Sequence, residues 1–340
     1  MVAVVVHNPD QLIEAIRYTM RFEPENSLVV ASIGARAMTG RIDLPSEADW
    51  PAACRALQQA YGQYPNSAVA IVVFSEQARG AAAMTRELSS ALQDVGVSTM
   101  TRLWASTTQW RDFDHGIRGF RDPAVATAMA AEFVGRGLPT PAKSRAEVEA
   151  GFHGDTTQLA TALKELTPDP HQDHNVAWTR DKLAEYRETG FLWDATTARI
   201  INNLQDPEIL NEVALSINGH NAADQAALFK ELTSRTPQDH IEPVATLAAL
   251  TAWVAGDGSA AWMALGRIPG SSGEDAGNPH TGLAGMIATC LQDAIPPSAW
   301  DDAMNRPVPV PHPMLSDPAP RRPAASVDPG SASPRIAPSR

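Results

Sequence analysis

The residues best able to do chemistry in this chain fall into four groups. Asp169, His171, Asp173 and His174 crowd carboxylates and imidazoles into the run DPDPHQDH. Such side chains can ligate a divalent metal, yet the flanking prolines describe an exposed turn, and no second ligand pair follows at a motif distance. The expectation is a solvated interhelical loop and no metal site. Glu25 and Asn26, followed by Ser27, stand between a helix and a strand. They could rim a ligand site, or Asn and Ser could satisfy backbone groups at the turn. Ser75, Glu76 and Gln77 follow a strand, and open α/β sheets bind ligands outside the carboxyl ends of their strands. Capping of the next helix by Ser75 is the blander reading, and the one favoured. Trp104, Trp110 and Arg111, with Asp114, His115 and Arg118 nearby, would suit a binding surface or a segment packed beneath a connecting loop.

The candidate ligand or partner residues are therefore Glu25, Asn26, Ser75, Glu76, Trp104, Trp110 and Arg111, and no residue is assigned a catalytic role. Neither a P-loop nor a G-x-G-x-x-G run occurs, so no phosphate cradle and no cofactor is expected. Gly270, Ser271, Ser272 and Gly273 lie in a polar loop between helices rather than at the strand-to-helix elbow of a hydrolase nucleophile.

These residues must be positioned by two kinds of architecture. Residues 2–7 read as a first strand, and Asn8, Pro9 and Gln11 as a capped helix start, with Pro24 stopping that helix. The segment 22–44 reads as a central hairpin: a strand over 27–33, a turn at Gly34, Ala35 and Arg36, and a return strand over 39–44 nearer an edge. Strands over 68–74, 97–104 and 110–113 alternate with helices that turn Trp50, Leu57 and Tyr61, then Leu88 and Leu92, then Met129 and Phe133 inward. The order predicts an α/β domain over 1–136 with a mixed sheet and flanking helices. Strand signals then stop, and ten amphipathic helices, several opened by Asp155, Asp194, Asp206 or Asn221, predict an all-α helical-hairpin domain over 137–305. Residues 306–340, rich in Pro, Ser and Ala, predict a disordered tail.

The formal net charge of −12 argues against non-specific nucleic-acid or anionic-membrane binding. Two distant cysteines, Cys54 and Cys290, suggest neither a disulfide framework nor a zinc site. With no signal-like or membrane-spanning stretch, the cytoplasm is the expected compartment.

Taken in order, Pro9, Leu12 and Ile13; Phe22, Pro24 and the run 27–30; Arg41 and the run 43–45; the strand 70–74; Trp110; the run 247–248; and Trp253 with Gly256, Asp257 and Gly258, then 296–300, resemble the domain-of-unknown-function family 4192, found chiefly in actinobacteria. The resemblance covers about residues 8–301 and implies this architecture. Members often carry a Cys-Cys-Pro segment after the Trp-containing strand, where this chain has Phe113 through Arg118. That implies that any metal or redox role of those cysteines is absent here. The family brings no activity and no catalytic residues. The first expectation is an interaction or scaffold protein with an unidentified protein partner. The second is a small-molecule-binding or enzymatic α/β domain using the loops after Ile33, Phe74 and Trp104.

Overall fold

The computed structural model describes residues 5–34, 38–269 and 282–305. Helix α1 (Pro9–Met20) opens as its sequence dictates: the Asn8 side chain accepts the Gln11 N–H at 2.9 Å. Gln11 reaches back to the His7 N–H at 2.8 Å, one residue before the cap. The helix ends before Pro24, because Arg21 turns left-handed at φ 63°.

The sheet follows: β1 (Ser27–Ile33), β2 (Gly40–Asp43), then α2 (Trp50–Tyr61), β3 (Ala68–Phe74), α3 (Ala81–Asp94), β4 (Ser98–Ala105), β5 (Gln109–Asp112), β6 (Arg118–Phe120) and α4 (Pro123–Gly135). Its six strands lie in the order β2-β1-β3-β4-β5-β6. Only β3 and β4 run parallel, and the other neighbouring pairs are antiparallel. The sheet is mixed, as the α/β reading expected. The 22–44 hairpin is not central: β2 is an edge strand, and the middle belongs to β3 and β4. Nor does the expected first strand join the sheet: Val5 to His7 are not in a strand, and residues 1–4 lie outside the described residues.

β3 is apolar at every position because both faces are covered. One face packs Leu28, Val30, Ile71 and Val73 against α2 and α3 through Leu57, Tyr61, Leu88 and Leu92. The other packs Val29, Ala70, Val72 and Leu103 against Ile13 and Ile16 of α1. Tyr18 of α1 stacks on Phe133 of α4, ring centroids 4.3 Å apart.

The helical half comprises α5 (Arg145–Ala150), α6 (Thr157–Lys164), α7 (Val176–Thr189), α8 (Asp194–Asn203), α9 (Pro207–Leu215), α10 (Ala222–Arg235), α11 (Ile241–Val254), α12 (Gly258–Leu265), α13 (Gly282–Gln292) and α14 (Ser298–Met304). It is organised around α11, which is apolar on every side and buried along nearly its whole length. Asp206 caps α9 through the Glu208 N–H. Asp194 is instead the first residue of α8, after Trp193, and pairs with Arg235. Asn221 stands at the α10 N-cap but does not cap it with its side chain. The Gly270–Gly273 loop and the 306–340 tail lie outside the described residues.

The largest hydrophobic cluster of each half is its own, but Val148 of α5 packs against both the helical cluster and the α1-face cluster, and Ala142 joins the latter; polar contacts join the halves as well. The Ala142 N–H donates to the Arg21 carbonyl at 2.9 Å, and the Glu23 N–H to the Ala142 carbonyl at 3.0 Å, forming an isolated parallel bridge. Arg21 pairs with Asp257 at 3.2 Å, and the Tyr64 hydroxyl donates to the Ala294 carbonyl. The described residues through Met304 hold together as one unit. No described helix is long and apolar enough to cross a membrane.

Candidate functional site

The antiparallel and parallel pairings together decide which chain ends meet. Ser27 at the start of β1 pairs with Phe74 at the end of β3, and Phe74 pairs with Ala105 at the end of β4. Three connections therefore converge at one end of the sheet: 23–26 entering β1, 74–76 leaving β3, and 105–107 leaving β4. They enclose a cleft of about 340 Å³, within the size range of small-molecule sites.

Four of the seven residues anticipated from sequence line it: Glu25, Asn26, Ser75 and Glu76. Asn26 adopts φ 41° and gives its carbonyl to the Leu44 N–H at 2.8 Å, while the Ser27 hydroxyl donates to the Glu25 carbonyl at 2.6 Å. Ser27 thus satisfies a backbone group with its side chain as expected, whereas Asn26 serves the turn through its backbone and its positive φ, and the residue is exposed at the cleft. Ser75 does not cap α3; that helix begins after Gly80 at φ 80° with no side-chain cap. Ser75 Oγ instead donates to the Gln77 carbonyl at 2.6 Å and accepts the Trp104 indole N–H at 3.2 Å. Glu76 accepts the Thr107 N–H at 3.1 Å, tying the two exit loops together.

Trp104 reaches the site only through that indole bond, its ring being packed with the α2–α3 face of the sheet. Trp110 and Arg111 do not enter the cleft. Trp110 packs beside the α1 face, its Nε1 buried without a partner, and Arg111 lies 5.7 Å from the centroid of the Phe113 ring. The loop after Ile33 is also elsewhere, since Ser32 pairs with Val69 at the opposite end of β3.

Glu23, Ser106 and Thr107 complete the lining and do not stand out in the sequence. Behind Glu23 lies an ion cluster. Glu14, buried on α1, pairs with Arg17 and with Arg121, each at 2.5 Å, and both arginines also face Glu23. Glu23 is thereby neutralised. Glu25 and Glu76 have no ion-pair partner among the described residues, so the cleft presents two uncompensated carboxylates over Pro24, Phe74 and Ala105.

In the 169–174 run the side chains of Asp169, Asp173 and His174 each have partners, and the Asp169 N–H donates to the Asp173 carboxylate at 2.6 Å. Asp173 pairs with Arg199, His174 Nδ1 lies 3.1 Å from Asp206, and Asp169 accepts the His171 N–H at 2.9 Å. Among the described residues no group of three or more His, Cys, Asp or Glu side chains could hold a metal ion.

Fold and cleft together define an α/β protein with a cleft at its strand ends and a helical extension. More particularly, the chain matches the family described as Domain of unknown function (DUF4192) over residues 9–298, and it belongs to that family. No curated protein and no solved structure matches the chain.

Proposed function

We propose that the cleft at the ends of β1, β3 and β4 binds a small molecule with a cationic group, an amine or a guanidinium, beside an apolar portion. The observation that carries this reading is that Glu25 and Glu76, neither in an ion pair among the described residues, line one cleft together with the apolar Pro24, Phe74 and Ala105. Two carboxylates on one lining with no cation between them attract a cationic ligand by their summed charge. The Glu76–Thr107 and Trp104–Ser75 bonds support it by fixing the two exit loops before any ligand arrives. On this reading the sheet half, 1–136, is the binding domain, 137–305 is a separate helical domain, and the protein works in the cytoplasm.

The test is a thermal-shift and calorimetric series on the full chain with small amines and guanidines against neutral isosteres. Cationic members should bind saturably, and Glu76→Gln, which keeps an acceptor for Thr107, should weaken them about tenfold, equivalent to about 1.4 kcal/mol. Equal affinity in the Glu25→Gln, Glu76→Gln double variant would refute the reading.

A second reading is docking of a protein partner. Phe191 and Trp193, between α7 and α8, are 56% and 74% exposed and meet edge to face at 5.2 Å. Crosslinking in the native host should lose its partner on replacing both with serine; an unchanged crosslink pattern would dismiss this surface.

A further inference from the structure

Residues of the helical half grip one turn of the sheet half. Arg21 leaves α1 in the left-handed region, at φ 63°, where a residue with a Cβ is strained and persists only if its surroundings hold it. Ala142 holds the backbone: its N–H donates to the Arg21 carbonyl at 2.9 Å, and its carbonyl accepts the Glu23 N–H at 3.0 Å. Asp257 holds the side chain, with Oδ2 3.2 Å from Arg21 Nε. The residues that follow, Glu23, Pro24, Glu25 and Asn26, form one lip of the strand-end cleft.

Asp257 stands on a fixed platform. The Gly256 N–H donates to the Trp253 carbonyl at 2.9 Å and the Asp257 N–H to the Ala252 carbonyl at 2.8 Å, closing the end of α11, the buried axis of the helical half. Asp257 Oδ1 accepts the Ala260 N–H at 2.9 Å and caps α12. One carboxylate oxygen thus anchors the residue and leaves the other for Arg21. Burial pushes this carboxyl above its usual range, although the Ala260 N–H, Arg21 and Lys230 each draw it down. An acid raised in this way makes the fold less stable as pH rises through its value, so its charged form is a net cost to stability. A helix cap needs no charge, since Asn caps as well as Asp. What the charge adds is the hold on Arg21.

We propose that Asp257 is a positioning residue of the cleft: from the helical half it fixes Arg21 in its turn and so sets where the lip carrying Glu23 and Glu25 stands. Arg17 and Arg121 grip the Glu23 side chain from within the sheet half. Asp257 acts one step earlier, on the turn that delivers Glu23 to them. The effect on ligand affinity rests on the cation-binding reading of the cleft; the hold on the lip does not.

The test compares Asp257→Asn, Arg21→Gln, the double variant and Arg21→Lys in the full chain, by amide exchange, urea unfolding and calorimetry with butylguanidine. Asp257→Asn keeps an acceptor for the α12 cap. It should lower protection of the Glu23 and Ala142 amides about threefold or more while the urea midpoint holds or rises. Butylguanidine should bind it about threefold to tenfold more weakly. Arg21→Gln should loosen the same amides, and the double variant should add nothing beyond either single change. Arg21→Lys, which keeps a cation for Asp257, should retain the protection. Unchanged protection in Asp257→Asn, losses that add in the double variant, or loosening matched by a fall in the urea midpoint would each overturn the proposal. So would unchanged butylguanidine affinity beside loosened amides. A wild-type chain that ignores butylguanidine would refute the cation-binding reading alone, because amide exchange reports the lip without a ligand.

Discussion

His115 stands exposed above the buried carboxylate of Asp112, with Nδ1 2.9 Å from it. The Asp112 hydrogen bond, then its charge, raises the imidazole above its ordinary 6.5. Burial pushes Asp112 up, but hydrogen bonds from the His115 ring and from the His115 and Asp114 N–H groups outweigh it and leave that carboxyl below its usual range. A histidine raised in the folded state stabilises fully below its unfolded value and loses that contribution as pH rises through the folded one. NMR should therefore show the His115 ring titrating above 6.5 and returning toward that value in Asp112→Asn; an unmoved midpoint would contradict the pairing. Sequence places Asp112's neighbours in a binding segment and misses this local role, because burial of one carboxylate three residues from an exposed imidazole is set by the β4–β5 pairing, not by composition. Glu25, Asn26, Ser75 and Glu76 are legible because they directly adjoin strands whose apolar runs define their ends. Glu23 is not, since its place depends on Arg21 ending α1 early.

Among the elements, the β5–β6 hairpin depends on one absent side chain. Gly119 pairs with Trp110 across the strands, and a Cβ there would meet the indole ring at 2.6 Å. The ring is wedged against the α1 face and cannot yield as a flexible chain end would. Gly119→Ala should cost about 1–3 kcal/mol in urea unfolding by overpacking and shift the tryptophan fluorescence; stability and spectrum both unchanged would show that the ring is free to move. This pair shows what one face of the Trp110 ring packs against. β1 and β3 are legible to the residue because their apolar runs are bounded by polar ones. β6 escapes, having three residues and no alternation, and the 2–7 run is apolar enough to read as a strand although Val5 to His7 find no strand partner in the sheet.

At the scale of the whole molecule, Tyr64 is one of the side chains that join the sheet half to the helical half. Burial pushes its phenol up to about 12, so it remains a hydrogen-bond donor to the Ala294 carbonyl at any physiological pH. Tyr64→Phe should lower stability by about 1 kcal/mol and speed amide exchange around Ile295 while leaving β3 protected. Equal exchange in the two proteins would place the coupling elsewhere, at Arg21 and Asp257 or at Ala142. Family membership spans both halves, which suits a chain whose parts are stitched rather than merely linked. One of those stitches carries a temporal implication. Ala142 clasps Arg21 and Glu23, so one lip of the cleft is fastened by a residue that follows the whole sheet in sequence. A chain made from its amino end folds in that direction. On the ribosome, β1, β3 and β4 can therefore assemble with Glu23 held by Arg17 and Arg121, and the backbone fastening of that lip is added when residue 142 emerges.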